Sequence, residues 1–339
     1  MNQTELLNTL KQNPFVMAPM AGITDCAFRS FMKSMGSSVV VTELVSANGL
    51  KYSSEKTKML MRFTEDQRPI GIQIFGEDLD HLSDAALICQ DMGADFVDLN
   101  FGCPVPKVVK KGAGSALLKD LVQLRKVIQA AKKQIQIPLT IKIRTGWDEG
   151  HRNADEVCQI AYDEGVTWVA IHGRTRSKGY SGLADWDYIK EVKQKSKVPI
   201  IGNGDIVSPE MAMQRLNESG CDAVMIGRGC LKNPWIFQES LNLKLNKSEH
   251  IIKDHSKVLR ILFEKLNELS DERIIGLQVK KFSTWFSAGY PDSSQFRKEV
   301  FQFKDKYEIY EFAKKYFLSF QGIHQKDTSD EAFLMGGHG

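Results

Sequence analysis

Short apolar runs alternate with longer amphipathic stretches over the first two thirds of the chain. Runs at 15–20, 39–44, 70–75, 95–100, 139–144, 167–172, 198–202 and 222–227 have the length and β-branched content of buried strands. Between them, 78–92, 117–133, 153–164 and 209–218 space their apolar residues for helices. Gly93, Pro138, Gly165, Pro199 and Gly220 punctuate the joints. Eight such strand–helix units predict an α/β chain closed into a (β/α)8 TIM barrel. A doubly wound sheet would want a Gly-rich turn after its first strand. There the chain reads Pro19-Met20-Ala21-Gly22, which is not G-x-G-x-x-G.

A second pattern lies inside the strands. Leu139, Ile141 and Ile143 alternate with Thr140, Lys142 and Arg144. Val97 and Leu99 oppose Asp98 and Asn100, and Val169 and Ile171 oppose Ala170 and His172. In a barrel the β-branched face packs on the surrounding helices and the other face points inward. Glu43, Gln73, Asn100, Lys142, His172 and Asn203 therefore converge near the C-terminal strand ends, where barrel enzymes place their sites. Any one of them could be an ordinary buried polar group with a partner. Six at one level point to a polar ligand that supplies the partners.

Beyond residue 246 the pattern becomes wholly helical, with amphipathic stretches at 253–269, 271–288 and 307–320. The expected organisation is a barrel over 1–245, a helical domain over 246–320 and a polar, Gly-rich, disordered tail over 321–339. Lys280-Lys281, Arg297-Lys298 and the Lys304/Lys306 pair form small basic clusters among aromatics. The net charge of +3 does not by itself argue for a nucleic-acid partner. No apolar run approaches the roughly 18 residues of a membrane span, and residues 1–13 lack a signal-like apolar stretch. A cytoplasmic, monomeric protein is expected. Its six cysteines, without CxxC spacing, read as thiols, and its histidines lack metal-ligand spacing.

Eight strings carry a resemblance: Ala18-Pro19-Met20-Ala21-Gly22-Ile23-Thr24-Asp25, Gln73-Ile74-Phe75-Gly76, Leu99-Asn100-Phe101-Gly102-Cys103-Pro104, Gly112-Ala113-Gly114-Ser115-Ala116-Leu117-Leu118, Lys142-Ile143-Arg144-Thr145-Gly146, His172-Gly173-Arg174-Thr175-Arg176, Asn203-Gly204-Asp205 and Gly227-Arg228-Gly229. In this order they resemble the dihydrouridine synthase family, its bacterial B-type branch nearest. The resemblance implies an FMN-dependent reductase, with NADPH or NADH as reductant, acting on uridines of transfer RNA (tRNA). It implies flavin contacts from Pro19, Met20, Ala21, Gln73, Lys142 and His172. Phosphate contacts would come from Asn203, Gly204, Asp205, Gly227 and Arg228, on the loops where barrels commonly hold phosphate. Asn100, Lys107, Arg144, Arg174, Arg176, Lys281 and Arg297 are the expected substrate contacts.

Saturating the uracil C5=C6 bond takes a hydride at C6, expected from flavin N5, and a proton at C5. A thiol, with a pKa near about 8.5, still holds its proton at neutral pH. Cys103, on the loop over the active face, is the expected acid. The segment 105–114 is expected to act as a lid, with Lys107, Lys110 and Lys111 meeting RNA phosphates. The sequence departs from the family at Phe282 and Phe286, where His and Tyr are common, so packing is the role expected there. A flavin-dependent reductase of free pyrimidines or dihydroorotate is the alternative, and the helical domain argues against it.

Overall fold

A computed structural model of the protein describes residues 1–52, 55–248, 251–323 and 325–328. Eight parallel strands form the barrel: β1 Phe15–Met17, β2 Val40–Val41 with its continuation Val45–Ser46, β3 Ile70–Phe75, β4 Phe96–Phe101, β5 Leu139–Arg144, β6 Val169–His172, β7 Ile200–Asn203 and β8 Ala223–Ile226. Neighbours run β1-β8-β7-β6-β5-β4-β3-β2. Across the remaining gap Met17 N–H donates to the Val39 carbonyl at 3.2 Å, nearly closing the cylinder. The first strand ends earlier than its apolar run suggests, and the second is interrupted after Val41. Pro19 has no N–H to continue β1. In β2, the Thr42 hydroxyl accepts the Gln73 N–H at 3.0 Å, a bond that main-chain pairing would otherwise make.

The period-two expectation holds. Val16, Val39, Phe96, Trp168, Ala170, Ile201 and Met225 fill the barrel, while the opposite faces build a larger core under the helices. Gly71 makes room inside, since a Cβ there would stand 2.2 Å from the Phe96 ring. The outer helices are α2 Cys26–Ser34, α3 Leu79–Asp91, α4 Leu121–Gln134, α5 Ala154–Asp163, α6 Trp186–Lys195, α7 Pro209–Ser219 and α8 Ile236–Lys244. The chain starts with α1 Gln3–Gln12, which no strand–helix periodicity announced. An Asn2/Glu5 capping box starts it, and Leu6 and Leu10 plug the N-terminal end of the barrel.

The C-terminal domain consists of α9 His255–Leu269, α10 Glu272–Phe286, α11 Ser293–Val300 and α12 Lys306–Leu318. Aromatics build its core: Phe263 stacks on Tyr310 at 4.3 Å and Phe296 on Tyr316 at 4.1 Å. Phe282 of α10 stacks on Phe28 of α2 with centroids 4.7 Å apart, fixing the domain against the barrel beside β1. Phe282 and Phe286 are both fully buried, as packing residues would be. Of the expected tail, 325–328 are hydrogen-bonded: Gln325 donates to the carbonyls of Phe286 and Ala288, and Lys232 to that of Thr328. Residues 329–339 lie outside the described residues. Among the described residues no helix is long and apolar enough to cross a membrane.

Candidate active site

At the C-terminal end of the strands lies a cavity of about 1620 Å³. Its floor follows from strand register. Gln73 pairs with Asp98, Asp98 with Thr140 and Asn100 with Lys142, so their side chains share the inner face of β3, β4 and β5. Gln73 Nε2 donates to Asp98 at 2.7 Å, and Asn100 Nδ2 donates to Gln73 Oε1 at 2.8 Å. The Thr140 hydroxyl stands 2.6 Å from the other Asp98 oxygen. Burial pushes the Asp98 carboxyl above its ordinary range. Lys142 donates to Asn203 Oδ1 at 3.2 Å, and Asn203 Nδ2 donates to the Met225 carbonyl at 2.7 Å. Burial, with Arg144 adding repulsion, lowers Lys142 to about 8.

Cys103 sits on the loop that leaves β4. Asn100 Oδ1 accepts the N–H groups of Gly102 and Cys103 at 3.1 and 2.8 Å. Ser115 donates its hydroxyl to the Cys103 carbonyl at 2.9 Å, and Arg144 Nε donates to the Gly102 carbonyl at 2.9 Å. The thiol is half-buried at the cavity wall. Burial raises its pKa, outweighing the Val105 N–H and the Arg144 charge, so the proton is held more firmly. Cys89, Cys158, Cys221 and Cys230 are buried away from the cavity. The segment after Cys103 carries one short helix, Pro106–Val109, with Lys107, Lys110 and Lys111 exposed.

Opposite stands the Pro19–Met20–Ala21–Gly22 loop. Glu43 accepts the Gly22 N–H and Lys281 Nζ donates to the Gly22 carbonyl. Asp25 caps α2 and takes a bond from Gln278 of α10 at 3.1 Å. The β7 and β8 ends bring Asn203, Gly204, Asp205, Gly227 and Arg228 to the far end. His172 faces the cavity among four cations. Burial first, then Lys142, Arg144, Arg174 and Arg228, depress its pKa well below the usual range, so the imidazole is neutral.

Fifteen expected residues thus line one cavity: Pro19, Met20, Ala21, Gln73, Asn100, Cys103, Lys142, Arg144, His172, Arg174, Asn203, Gly204, Asp205, Gly227 and Arg228. Several have partners that their residue types did not announce. Arg174 forms a two-pronged pair with Asp205 at 2.8 and 2.9 Å and also binds the Ser181 and Gly182 carbonyls. Arg144 binds the carbonyls of Gly102, Thr175 and Gly179. Both guanidinium groups brace loops, and both line the cavity where substrate contact is expected of them. Lys281, also expected on the substrate, half-buried against Trp285 and Phe282, holds the Gly22 loop. Arg176 lies outside the cavity, 4.5 Å over the Trp147 ring. Arg297 is on α11, bonded to Ser294. Residue types also passed over Tyr180, whose ring lies 5.0 Å from the Arg228 guanidinium at the cavity mouth. It sits between Gly179 and Gly182, both at positive φ, where no period marks a residue. Among the described residues no cluster of His, Cys, Asp and Glu could hold a metal ion.

The geometry agrees with what the chain is similar to. The family model for dihydrouridine synthase (Dus) matches residues 16–321. A protein named tRNA-dihydrouridine synthase B from Pseudomonas syringae pv. tomato is 38% identical over 84% of this chain and 86% of its own. One of the same name from Shewanella oneidensis is 36% identical over 90% and 96%. Among solved structures, 6-hydroxypseudooxynicotine amine oxidase from Pseudomonas geniculata has a TM-score of 0.53 at 13% identity, covering 74% of this chain and 50% of that one. Histamine dehydrogenase from a Rhizobium species has 0.51 at 15%, covering 76% and 49%. The chain spans about half the length of these two structures, and they share the barrel fold. By the family model and by relatives that match nearly end to end, the chain belongs to the dihydrouridine synthase family.

Proposed function

We propose that this chain is a cytoplasmic tRNA-dihydrouridine synthase that uses FMN, reduced by NADPH or NADH, to saturate uridines in tRNA. One observation carries the reading beyond family membership. A proton-holding Cys103 is fixed at the wall of a cavity whose floor is an amide ladder and whose far end carries glycines and a cation.

The cavity fits a flavin. Its volume exceeds the roughly 300–1,000 Å³ of common ligand sites, leaving room for a ring system and a base together. Gly227 lines the cavity, and a Cβ there would stand 3.7 Å from the Ala18 side chain, at ordinary contact distance. Arg228 adds charge at that end, where phosphate suits glycine-bearing loops. Pro19, Met20 and Ala21 would hold the ring system's edge, Gln73 its pyrimidine portion, and Lys142 the side on which negative charge develops. When bound, FMN supplies the hydride that the protein's own groups cannot.

The chain's residues do the rest. Asn100, with one amide N–H uncommitted, orients the uracil edge. Neutral His172 accepts or donates one hydrogen bond without adding charge. Cys103 gives its proton to C5. The exposed Lys107, Lys110 and Lys111 and the basic face at Arg297 and Lys298 meet RNA phosphates, and one uridine leaves the stack to enter the barrel.

Single-turnover reoxidation tests this. The flavoprotein is reduced anaerobically with NADPH, then mixed with unmodified tRNA or with free uridine. Fast reoxidation by RNA alone is expected. Reoxidation by a free pyrimidine and not by RNA would move the assignment to a small-molecule reductase. A protein that cannot be loaded with FMN would remove the cofactor and the roles tied to it.

A further inference from the structure

One layer beneath the cavity lies Asp98, 3% exposed and outside the cavity lining. We infer that Asp98 is a positioning residue: it sets the direction of two stacked amides and, through them, holds the Cys103 loop. The inference deepens the function proposed above and rests on it for its kinetic readout only.

The argument follows the hydrogen bonds downward. The N–H groups of Gly102 and Cys103 need an acceptor, and Asn100 Oδ1 supplies it. That turns Asn100 Nδ2 toward Gln73 Oε1. The Gln73 carbonyl is then committed, so its Nε2 faces down onto Asp98 Oδ2. A side-chain amide has nearly the same shape turned end for end, so packing alone does not choose its direction. The two ends of the ladder choose it: main-chain donors at the top and a carboxyl oxygen at the bottom. Were Gln73 to turn over, its oxygen would face a carboxyl oxygen and its nitrogen would face the Asn100 nitrogen. Asn100 would then lose its own preference and release Cys103.

This direction survives protonation of Asp98. The Thr140 hydroxyl is 2.6 Å from Asp98 Oδ1 and 3.4 Å from the Val97 carbonyl. A proton on Oδ1 would pass the bond to Thr140, which would donate to Val97. Oδ2 accepts from Gln73 in either state. A consequence follows for specificity. Each amide keeps one uncommitted N–H, and both side chains line the cavity. Uncommitted amide donors on this floor suit ligand edges bearing carbonyl oxygens.

The test uses the flavin-loaded enzyme and four variants: Asp98→Leu, Asp98→Asn, Asn100→Ala, and Asp98→Leu combined with Asn100→Ala. Asn at position 98 can offer its oxygen to Gln73 and its amino group to Thr140, which keeps the ladder's direction. Leu can offer neither. The first readout is the rate at which iodoacetamide labels Cys103, followed by peptide mapping. The second is kcat against KM for RNA. Asp98→Leu is expected to raise the labelling rate and lower kcat, each on the order of tenfold, with KM little changed. Asp98→Asn should return both to within about threefold of wild type. In the Asn100→Ala background, Asp98→Leu should add nothing. Additive effects in the double variant, or an Asp98→Asn as damaging as Asp98→Leu, would overturn the proposal. Should Asp98→Leu fail to fold, Gln73→Leu cuts the same ladder higher up, and unchanged Cys103 labelling there overturns it equally. Labelling is read whether or not RNA is reduced. A wild-type enzyme inert toward RNA would sink the function and leave this inference to stand or fall alone.

Discussion

At Cys103 the environment favours the acid. Burial opposes the thiolate, so the folded-state pKa lies above the ordinary value of about 8.5 and the proton stays on through neutral pH. Iodoacetamide labelling of Cys103, which follows the thiolate, is expected to show a midpoint above 8.5; a midpoint at or below the free-thiol value would contradict the burial argument. Cys103→Ala should retain flavin and lose RNA reduction, measured by dihydrouridine content after incubation. A variant that reduces RNA at the wild-type rate would remove Cys103 from the chemistry. Lys142 has the opposite sensitivity. Its pKa falls to about 8 because the buried charge is poorly solvated and Arg144 repels it. Its positive charge is therefore lost as pH rises through about 8, well before a free lysine at about 10.4. An anionic ligand binds the protonated form better, so FMN affinity of the flavin-free protein should fall above pH 8, by up to about tenfold per unit. Lys142→Ala should bind FMN more weakly and with a flat profile over that range. Fluorescence titration at several pH values decides it, and a wild-type profile as flat as the variant's would refute the role.

Elements show how far one sequence can be read. Strand alternation is a two-residue rule, so the inward rank of Gln73, Asn100, Lys142, His172 and Asn203 is legible from spacing alone. The same rank held Asp98, two residues before Asn100 on the same face, without a signal of its function. Arg144 and Arg174 were legible as residues near the site and illegible as braces. Their partners are main-chain carbonyls of Gly102, Thr175, Gly179, Ser181 and Gly182, groups that every residue carries. The plug made by α1 was missed because its buried face is only Leu6 and Leu10 within a polar segment. Helix α10 was legible as amphipathic, and the packing role expected of Phe282 and Phe286 is met by where its face lands. Phe282 lies between Phe28 of α2 and Trp285, with stacked and edge contacts at 4.7 and 5.4 Å. Phe282→Ala is expected to destabilise the protein by about 3–5 kcal/mol, since neither helix can collapse into the space without parting from the other. A loss of unfolding free energy below about 1 kcal/mol, measured by denaturant titration, would mean that the interface relaxes freely.

On the scale of the whole molecule, the helical domain both faces outward and holds part of the cavity wall. Gln278 and Lys281 of α10 bind Asp25 and the Gly22 carbonyl, while Phe282 locks the same helix onto α2. The basic residues of the chain therefore divide into two groups that composition cannot separate. Lys281 is half-buried with a main-chain partner, and losing it should loosen the Pro19–Gly22 wall. Lys107 is exposed beside the cavity loop, and Lys298 is exposed on α11 next to the partly covered Arg297. Those three are free to approach a phosphate backbone. A polyanion held by such contacts releases counterions, so its affinity falls with salt in proportion to the phosphates neutralised. Charge reversal at Lys107, Arg297 or Lys298 should raise KM for tRNA severalfold, reduce its salt dependence, and leave flavin reduction by NADPH at the wild-type rate. Lys281→Ala should behave in the other way, altering the flavin absorption spectrum and the NADPH step while leaving the salt slope for tRNA unchanged. Stopped-flow traces of both half-reactions at several salt concentrations separate the two groups. Were Lys281→Ala to flatten the salt slope with an unperturbed flavin spectrum, its bond to Gly22 would be incidental and α10 would face RNA directly.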